Sequence, residues 1–410
     1  MTCFNCRNCG SPINRKILDL GFAPLSNAYI SNANLNSSEV FFPLRLRVCE
    51  TCWLVQTENF TDATSIFNDE YAYFSSVSEG WLDHAKKYSH YVVERFNLNS
   101  ESQVVEIASN DGYLLRNFVD MNIPCLGVEP TASTATVAEN FGIPVKRAFF
   151  TEALAEEIAE TGNSADLIVG NNVYAHVPDI NDFTRGIKKL LRPDGIVTLE
   201  FPHLMKLIEF CQFDTVYHEH FSYLSALTVS KIFNQNGLRI FDIEELTTHG
   251  GSLRIFGCHL GASQCLTPRA KSILAQEYEH GLDKLSYYEK FQTRTDNIKD
   301  EFLNFLIEAK KSKKTVAAYG AAAKGNTLLN YAGIKTDLLP FICDAAVSKQ
   351  GKFTPGSHIP ILEPSELKTR PLDYLVILPW NLAEEIKRQL GGIISAKTRF
   401  VTAVPKMKIL

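Results

Sequence analysis

Val104-Val-Glu-Ile-Ala-Ser-Asn-Asp-Gly-Tyr-Leu-Leu115 reads as a buried strand, a tight turn and the start of a helix. Val104, Val105 and Ile107 suit a strand covered on both faces. Asn110-Asp-Gly112 is turn chemistry, and Tyr113-Leu-Leu115 resumes with helical character. Such a turn presents backbone N–H groups at a helix N-terminus. Glu106, at the strand end, would repel a phosphate held there, so the stretch points to a cationic or hydroxyl-rich ligand.

Outward from this stretch, strands and helices alternate from Trp81 to about Leu260, as a parallel α/β sheet requires. Cys125-Leu-Gly-Val-Glu129 is a second strand ending in an acid. Val145–Phe150, Ala165–Gly170 and Gly195–Phe201 are the third, fourth and fifth. Leu238–Leu246 and Ser252–Leu260 are separated by a short connection, which predicts an antiparallel pair at one edge. An acid about 20 residues beyond the first turn is where a dinucleotide fold holds ribose hydroxyls, and Glu129 fills that place. NAD and S-adenosylmethionine share this feature. The absence of G-x-G-x-x-G argues against NAD, and Glu106 suits the cationic amino-acid end of S-adenosylmethionine.

The chain has 410 residues, enough for two or three domains, with 41 Lys+Arg against 46 Asp+Glu and a net charge of −5. That balance gives no broad pull toward nucleic acid or anionic membrane. No apolar run spans a bilayer and the N-terminus lacks an apolar signal core, so a cytoplasmic protein is expected. Cysteines cluster early, as Cys3, Cys6, Cys9, Cys49 and Cys52. Without an export signal, such clustering favours metal over disulfide. The knuckles Cys6-Arg-Asn-Cys9 and Cys49-Glu-Thr-Cys52 can close a tetrahedral structural zinc site, with Cys3 a bystander. A zinc ribbon could also bind nucleic acid, but Arg45 and Arg47 make a thin basic face.

Glu106-Ile-Ala-Ser-Asn-Asp-Gly112 resembles the first motif of class I S-adenosylmethionine-dependent methyltransferases, with Ala108 and Asn110 in place of the first two glycines. Four further stretches accompany it: Cys6-Arg-Asn-Cys-Gly10, Pro24-Leu-Ser-Asn27, Gly170-Asn-Asn-Val-Tyr-Ala-His-Val-Pro178 and Phe213-Asp-Thr-Val-Tyr-His-Glu-His220. Together they resemble the bacterial sugar C-methyltransferases, nearly end to end. The resemblance implies a seven-stranded class I methyltransferase sheet, an N-terminal zinc-binding domain and a C-terminal Rossmann-like domain. It also implies S-adenosylmethionine as donor and a nucleotide-linked keto-deoxysugar as substrate. The boundaries expected are 1–75, 76–262 and 263–410. Glu106, Ala108, Asn110, Asp111, Gly112, Glu129 and Asn171 are the expected cofactor residues.

Methylating carbon requires a carbanion equivalent, so a proton beside a ketone must leave and the enolate must be held. Tyr217-His-Glu-His220 follows the fifth strand, where the strand ends of an open sheet converge on the ligand crevice. An imidazole suits proton removal, and a phenol or second imidazole can donate to the oxyanion. The resemblance implies that Tyr217, Glu219 and His220 line the site, with His220 or Tyr217 as base. Our assignment is His220 as base, Tyr217 as enolate or hydroxyl partner and Glu219 as the group orienting the imidazole. His218, Glu219 and His220 could instead bind metal, although no third ligand type is evident. His176 follows the fourth strand and points at the same crevice.

Tyr71-Ala-Tyr-Phe-Ser-Ser-Val-Ser-Glu-Gly-Trp81 carries the hydroxyls and aromatics that a sugar or nucleoside needs, Ser76 among them. The same composition suits an aromatic hinge. Thr248-His-Gly-Gly-Ser-Leu-Arg254 could bring His249 to substrate phosphate or simply connect a hairpin. Polar helical sequence from Pro268 to Lys314 leads to Thr315-Val-Ala-Ala-Tyr-Gly-Ala-Ala-Ala-Lys-Gly-Asn326, a second strand–turn–helix. Phe341-Ile-Cys-Asp344, the strand Tyr374–Leu378 and the helix Asn381–Leu390 follow it. Lys324 supplies a cation for an anion such as pyrophosphate, and Lys324, Asn326 and Asp344 are expected at the nucleotide sugar. The reading is a three-domain sugar C-methyltransferase, monomeric or weakly self-associating. Its alternatives are an NAD(P)-dependent sugar-nucleotide oxidoreductase or epimerase and a zinc-ribbon nucleic-acid-binding protein.

Overall fold

The computed structural model describes residues 4–58, 60 and 74–410. Cys3 and the Tyr71–Tyr73 part of the aromatic stretch lie outside the described residues. Three sheets organise the chain.

The first sheet holds β1 (Arg15–Ala23), β2 (Phe42–Val48) and β3 (Val55–Thr57), each antiparallel to the next. Helix α1 (Glu79–Phe96) leads into the second sheet. Its elements run β4 (Val104–Ile107), α2 (Leu115–Asp120), β5 (Cys125–Val128), α3 (Ala132–Asn140), β6 (Val145–Lys146), α4 (Glu152–Glu160), β7 (Ala165–Asn171), α5 (Ile180–Leu190), β8 (Leu191–Pro202) and α6 (Leu204–Glu209). Strand β9 (Ser222–Tyr223) leaves this order and pairs with β3, so the first sheet takes its fourth strand from the middle of the chain. Helix α7 (Ala226–Gln235) and the antiparallel pair β10 (Leu238–Leu246) and β11 (Ser252–His259) complete the second sheet.

The strand order of that sheet is β10-β11-β8-β7-β4-β5-β6, with β4 at the point where the order reverses. Strands β4 to β8 are parallel, and β11 runs antiparallel to β8. All four residues of β4 are buried, Glu106 included, because neighbours cover both faces of this central strand. The expected third strand is cut short. Only Val145 and Lys146 pair with β5, since Phe150 turns away to pack edge-on against Phe183 of α5, 5.1 Å between ring centroids. Thr151 then caps α4, its hydroxyl accepting from Leu154 N at 3.2 Å.

Helices α8 (Pro268–His280) and α9 (Phe291–Lys311) carry the chain to the third sheet. There β12 (Val316–Tyr319), α10 (Ala323–Tyr331), β13 (Ile342–Cys343), β14 (Ile361–Leu362), α11 (Glu366–Thr369), β15 (Tyr374–Ile377), α12 (Ala383–Leu390), β16 (Arg399–Thr402) and β17 (Lys408–Ile409) form a Rossmann-like layer of order β14-β13-β12-β15-β16-β17. One apolar core runs from Leu18 and Leu46 of the first sheet through Leu204 and Phe302 to Val376 of the third. Backbone bonds add to it, with Ile30 N on Phe353 O at 2.9 Å and Phe353 N on Ile30 O at 2.8 Å. The N-terminal segment therefore packs against both larger sheets. Among the described residues no helix is long and apolar enough to cross a membrane.

Candidate active site

Strand β4 ends in the turn from Ala108 to Gly112. Ala108 and Asn110 take the left-handed backbone, with φ of 57° and 50°. These are the two positions where the resembled pattern has glycine. The glycine conformation is thus kept without glycine, at a cost of about 1 kcal/mol for a side chain with Cβ. It is held by Ala108 N on Val128 O at 2.8 Å and Asn110 N on Glu129 Oε2 at 2.9 Å. Gly112 has φ of 77°, and a Cβ there would lie 2.5 Å from Ile143 Cδ1.

Three buried carboxylates gather at this turn: Glu106, Asp111 and Glu129. Burial, then the charges of Asp111 and Glu129, push the Glu106 carboxyl well above its usual range. Glu106 Oε2 and Asp111 Oδ1 are buried with no hydrogen-bond partner, as are both amide atoms of Asn171 at the end of β7. Unpaired acceptors, and the unpaired Asn171 amide donor, are expensive in a dry site unless a ligand answers them. A ligand with an ammonium group and ribose hydroxyls fits them. Ser75 N donates to Asn110 Oδ1 at 2.9 Å and Ser76 N to Asp111 Oδ2 at 3.1 Å, which places Ser76 beside this turn. Trp81 stacks on His84 and on Tyr113, and meets the His249 ring at 5.4 Å. His249 Nε2 lies 3.2 Å from Asn172 Nδ2, and burial followed by Lys324 lowers its pKa to about 4.

The histidines form a second group. His220 and His176 meet edge to face at 4.6 Å, and the Tyr217 ring lies 4.0 Å from His220. Nδ1 of His220 is 2.9 Å from the Thr215 carbonyl, an acceptor, so Nδ1 carries the proton and Nε2 the lone pair. Burial first, then His176, push the His220 pKa well below its usual value, and burial takes His176 to about 4. Both rings are neutral at pH 7. Glu219 does not make the orienting contact expected of it: Thr215 O takes that place at Nδ1, while Glu219 Oε1 accepts from Asn27 Nδ2 at 2.7 Å. His218 turns to the first sheet, with Nε2 at 3.2 Å from Pro43 O and its ring against Phe42. Among the described residues the metal-holding group is Cys6, Cys9, Cys49 and Cys52, not these histidines.

The four thiols lie within 4.8 Å of one another, with Cys6 to Cys52 and Cys9 to Cys49 each 3.5 Å, close to the sulfur spacing around a tetrahedral zinc. The contact with Cys52 drives Cys6 toward the thiolate, its pKa falling to about 4. Gln56 Nε2 donates to Cys6 Sγ at 3.3 Å.

Comparison with known proteins decides the family. The chain is 33% identical over 405 residues to the C-methyltransferase NovU of Streptomyces niveus, covering 99% of this chain and 96% of that protein. The chain belongs to the C-methyltransferase family. Family profiles match a zinc binding domain at residues 6–67, a methyltransferase domain at 81–243 and the C-methyltransferase C-terminal domain at 247–405. A ubiquinone biosynthesis O-methyltransferase of Rhizobium etli is 28% identical over 99 residues, 23% of this chain and 39% of that protein. Magnesium protoporphyrin IX methyltransferase of Synechocystis PCC 6803, solved with bound S-adenosylmethionine, has a TM-score of 0.37 and 14% identity over 50% of this chain and 100% of its own.

This C-methyltransferase is thus S-adenosylmethionine-dependent, which replaces the oxidoreductase alternative, and its zinc binding domain carries the four-cysteine cluster. From the C-terminal domain, the charge of Lys324 lowers both His220 and His249, while its Nζ donates to Asn381 Oδ1 at 2.7 Å. Asn326 and Asp344 also bond within the protein. Asn326 Nδ2 donates to Ser26 O at 2.7 Å, and Asp344 accepts from Ala321 N at 2.6 Å and Ala346 N at 2.7 Å. Asn326 Oδ1 remains buried with no hydrogen-bond partner. The sequence reading left out Asn27, Thr215, Asp214 and Trp380. Three of them stand inside the stretches quoted for the resemblance, and Trp380 sits just after β15, at the strand ends where open sheets place ligands.

Proposed function

We propose that the enzyme methylates the carbon next to the ketone of a nucleotide-linked 4-keto-deoxysugar, through an enolate. The observation that carries this reading is the His220 imidazole, whose Nδ1–H is committed to Thr215 O, leaving Nε2 to take a proton. Burial and the neighbouring His176 keep it neutral, so the base is in its working form at pH 7. Tyr217 is the partner for the enolate oxygen or an adjacent hydroxyl, and His176 borders the same ring. Bound S-adenosylmethionine supplies an electrophilic methyl group on a sulfonium. Glu106, Asp111 and Asn171 would hold its amino-acid end and Glu129 its ribose, with the turn from Ala108 to Gly112 supplying backbone.

In this reading residues 1–75 brace the site, 76–262 bind the donor and carry the chemistry, and 263–410 hold the nucleotide sugar through Lys324. Incubation with labelled S-adenosylmethionine and a panel of nucleotide 4-keto-6-deoxysugars tests it. Label on the ring carbon is expected, together with deuterium washed from that carbon in the absence of methyl donor. Label on a hydroxyl oxygen would reject C-methylation of the sugar.

A further inference from the structure

Asp214 is 1% exposed and lies in the turn that precedes Tyr217 and His220. Its Oδ2 accepts from Trp380 Nε1 at 2.7 Å, while Oδ1 is buried with no hydrogen-bond partner. Trp380 belongs to the C-terminal domain. Lys324 Nζ lies 5.1 Å from the Trp380 ring centroid and donates to Asn381 on the next residue. The same indole presses on Gly250, where a Cβ would come within 2.4 Å of it, next to His249. One side chain of the C-terminal domain thus touches the Asp214 turn, the His249 turn and the Lys324 ammonium. Thr215, whose carbonyl holds His220 Nδ1, directly follows Asp214.

A buried carboxylate with an unpaired oxygen is costly unless a cation answers it. The facing cation is Lys324, which favours the charged form of Asp214 as Asp214 favours that of Lys324. Burial nonetheless holds Asp214 at about 6. The groups that face His220 are His176, His249, Lys324 and the Tyr217 and Tyr223 rings.

We propose that Asp214 is a positioning residue: with Trp380 it fixes Lys324, so that the cation of the C-terminal domain stands at a set place beside the His220 imidazole. The proposal rests on the reading of His220 as base. Asp214→Asn keeps an acceptor for Trp380 and removes only the charge, so the fold is retained. In the full-length enzyme, kcat on the 4-keto-6-deoxysugar panel should fall about tenfold with the KM for S-adenosylmethionine unchanged. The acid limb of the pH profile should move up by about half a unit in Lys324→Met, where a charge that lowers His220 is gone. It should stay near its wild-type place in Asp214→Asn, because Asp214 is already protonated where His220 takes up its proton. An unchanged kcat in Asp214→Asn, or a Lys324→Met limb that superposes on the wild type, would overturn the proposal.

A second measurement needs no substrate. The Trp380 indole N–H resonance should titrate with a midpoint near pH 6 in the wild type, rise in midpoint in Lys324→Met and lose the transition in Asp214→Asn. Equal midpoints in wild type and Lys324→Met would overturn the coupling even with the enolate reading intact. Failure of the wild-type enzyme to wash out deuterium would instead strike only the reading of His220.

Discussion

The Thr57 hydroxyl donates to the His220 carbonyl at 3.0 Å. Thr57 ends β3, five residues after the Cys49–Cys52 knuckle, and its own N–H donates to Phe221 O at 3.1 Å. The zinc site is therefore one short strand away from the backbone of the proposed base, and β9 continues that contact as sheet pairing. A metal held by the four thiols at one end of β3 would brace the proposed base at the other.

Loss of zinc should thus reduce methyl transfer before it reduces donor binding. Thr57→Val removes one hydrogen bond, of about 1 kcal/mol, and should lower kcat roughly five- to tenfold. Chelation or Cys49→Ser should cost far more, because a metal bound only by the folded thiols would add its binding free energy to folding. Calorimetry with S-adenosylhomocysteine alongside turnover checks the order, and an equal early loss of both would contradict it.

Glu106 stores repulsion that the donor relieves. Its folded pKa is raised, so the native chain binds more protons than the unfolded chain, and stability falls as pH rises from about 4.5 through the folded value. Glu106→Gln should raise the Tm of the free enzyme at pH 8 and weaken S-adenosylhomocysteine binding by about tenfold or more. A lower Tm at that pH would refute the stored repulsion.

Two left-handed residues of the donor turn should answer substitution to different degrees. Ala108→Gly relieves about 1 kcal/mol of backbone strain and loosens the unfolded chain by a similar amount, so Tm should move little. Gly112→Ala adds a Cβ 2.5 Å from Ile143 at φ of 77°, and should destabilise by about 2 kcal/mol or more and weaken donor binding. Thermal unfolding of the two variants provides the comparison.

His176 and His220 have folded pKa values below that of an unfolded histidine, so the unfolded chain takes up protons first as pH falls. Their contribution is intact above about pH 6.5 and is lost progressively below it, toward about 4 for His176. His176→Gln should therefore lose less stability than the wild type between pH 7 and 5. Parallel Tm curves would reject the assignment. Activity of the wild type should persist below pH 6.5, since protonation of the base is deferred. His220→Ala should abolish methyl transfer and leave donor affinity nearly unchanged.

The donor turn was legible because its requirements are local. An apolar strand, an acid at its end and a turn fix a backbone path over a dozen residues, and the paired knuckles fix a metal site in the same way. The short pairing of β6 was less legible, because Phe150 chooses between the sheet edge and Phe183 only once α5 is in place.

From the sequence alone came the alternating α/β order, the four thiols, the carboxylates of the donor turn and the histidines beyond the fifth strand. Tertiary structure decided which of these face one another. Thr57 meets His220 across 163 residues, Asn27 meets Glu219 across 192, and Trp380 meets Asp214 across 166. No periodicity or spacing encodes such pairs, since each partner is polar, singly placed and brought to its position by apolar packing elsewhere. It also took the fold to show that Thr215, not Glu219, sets the tautomer of His220, because a backbone carbonyl leaves no mark on a sequence.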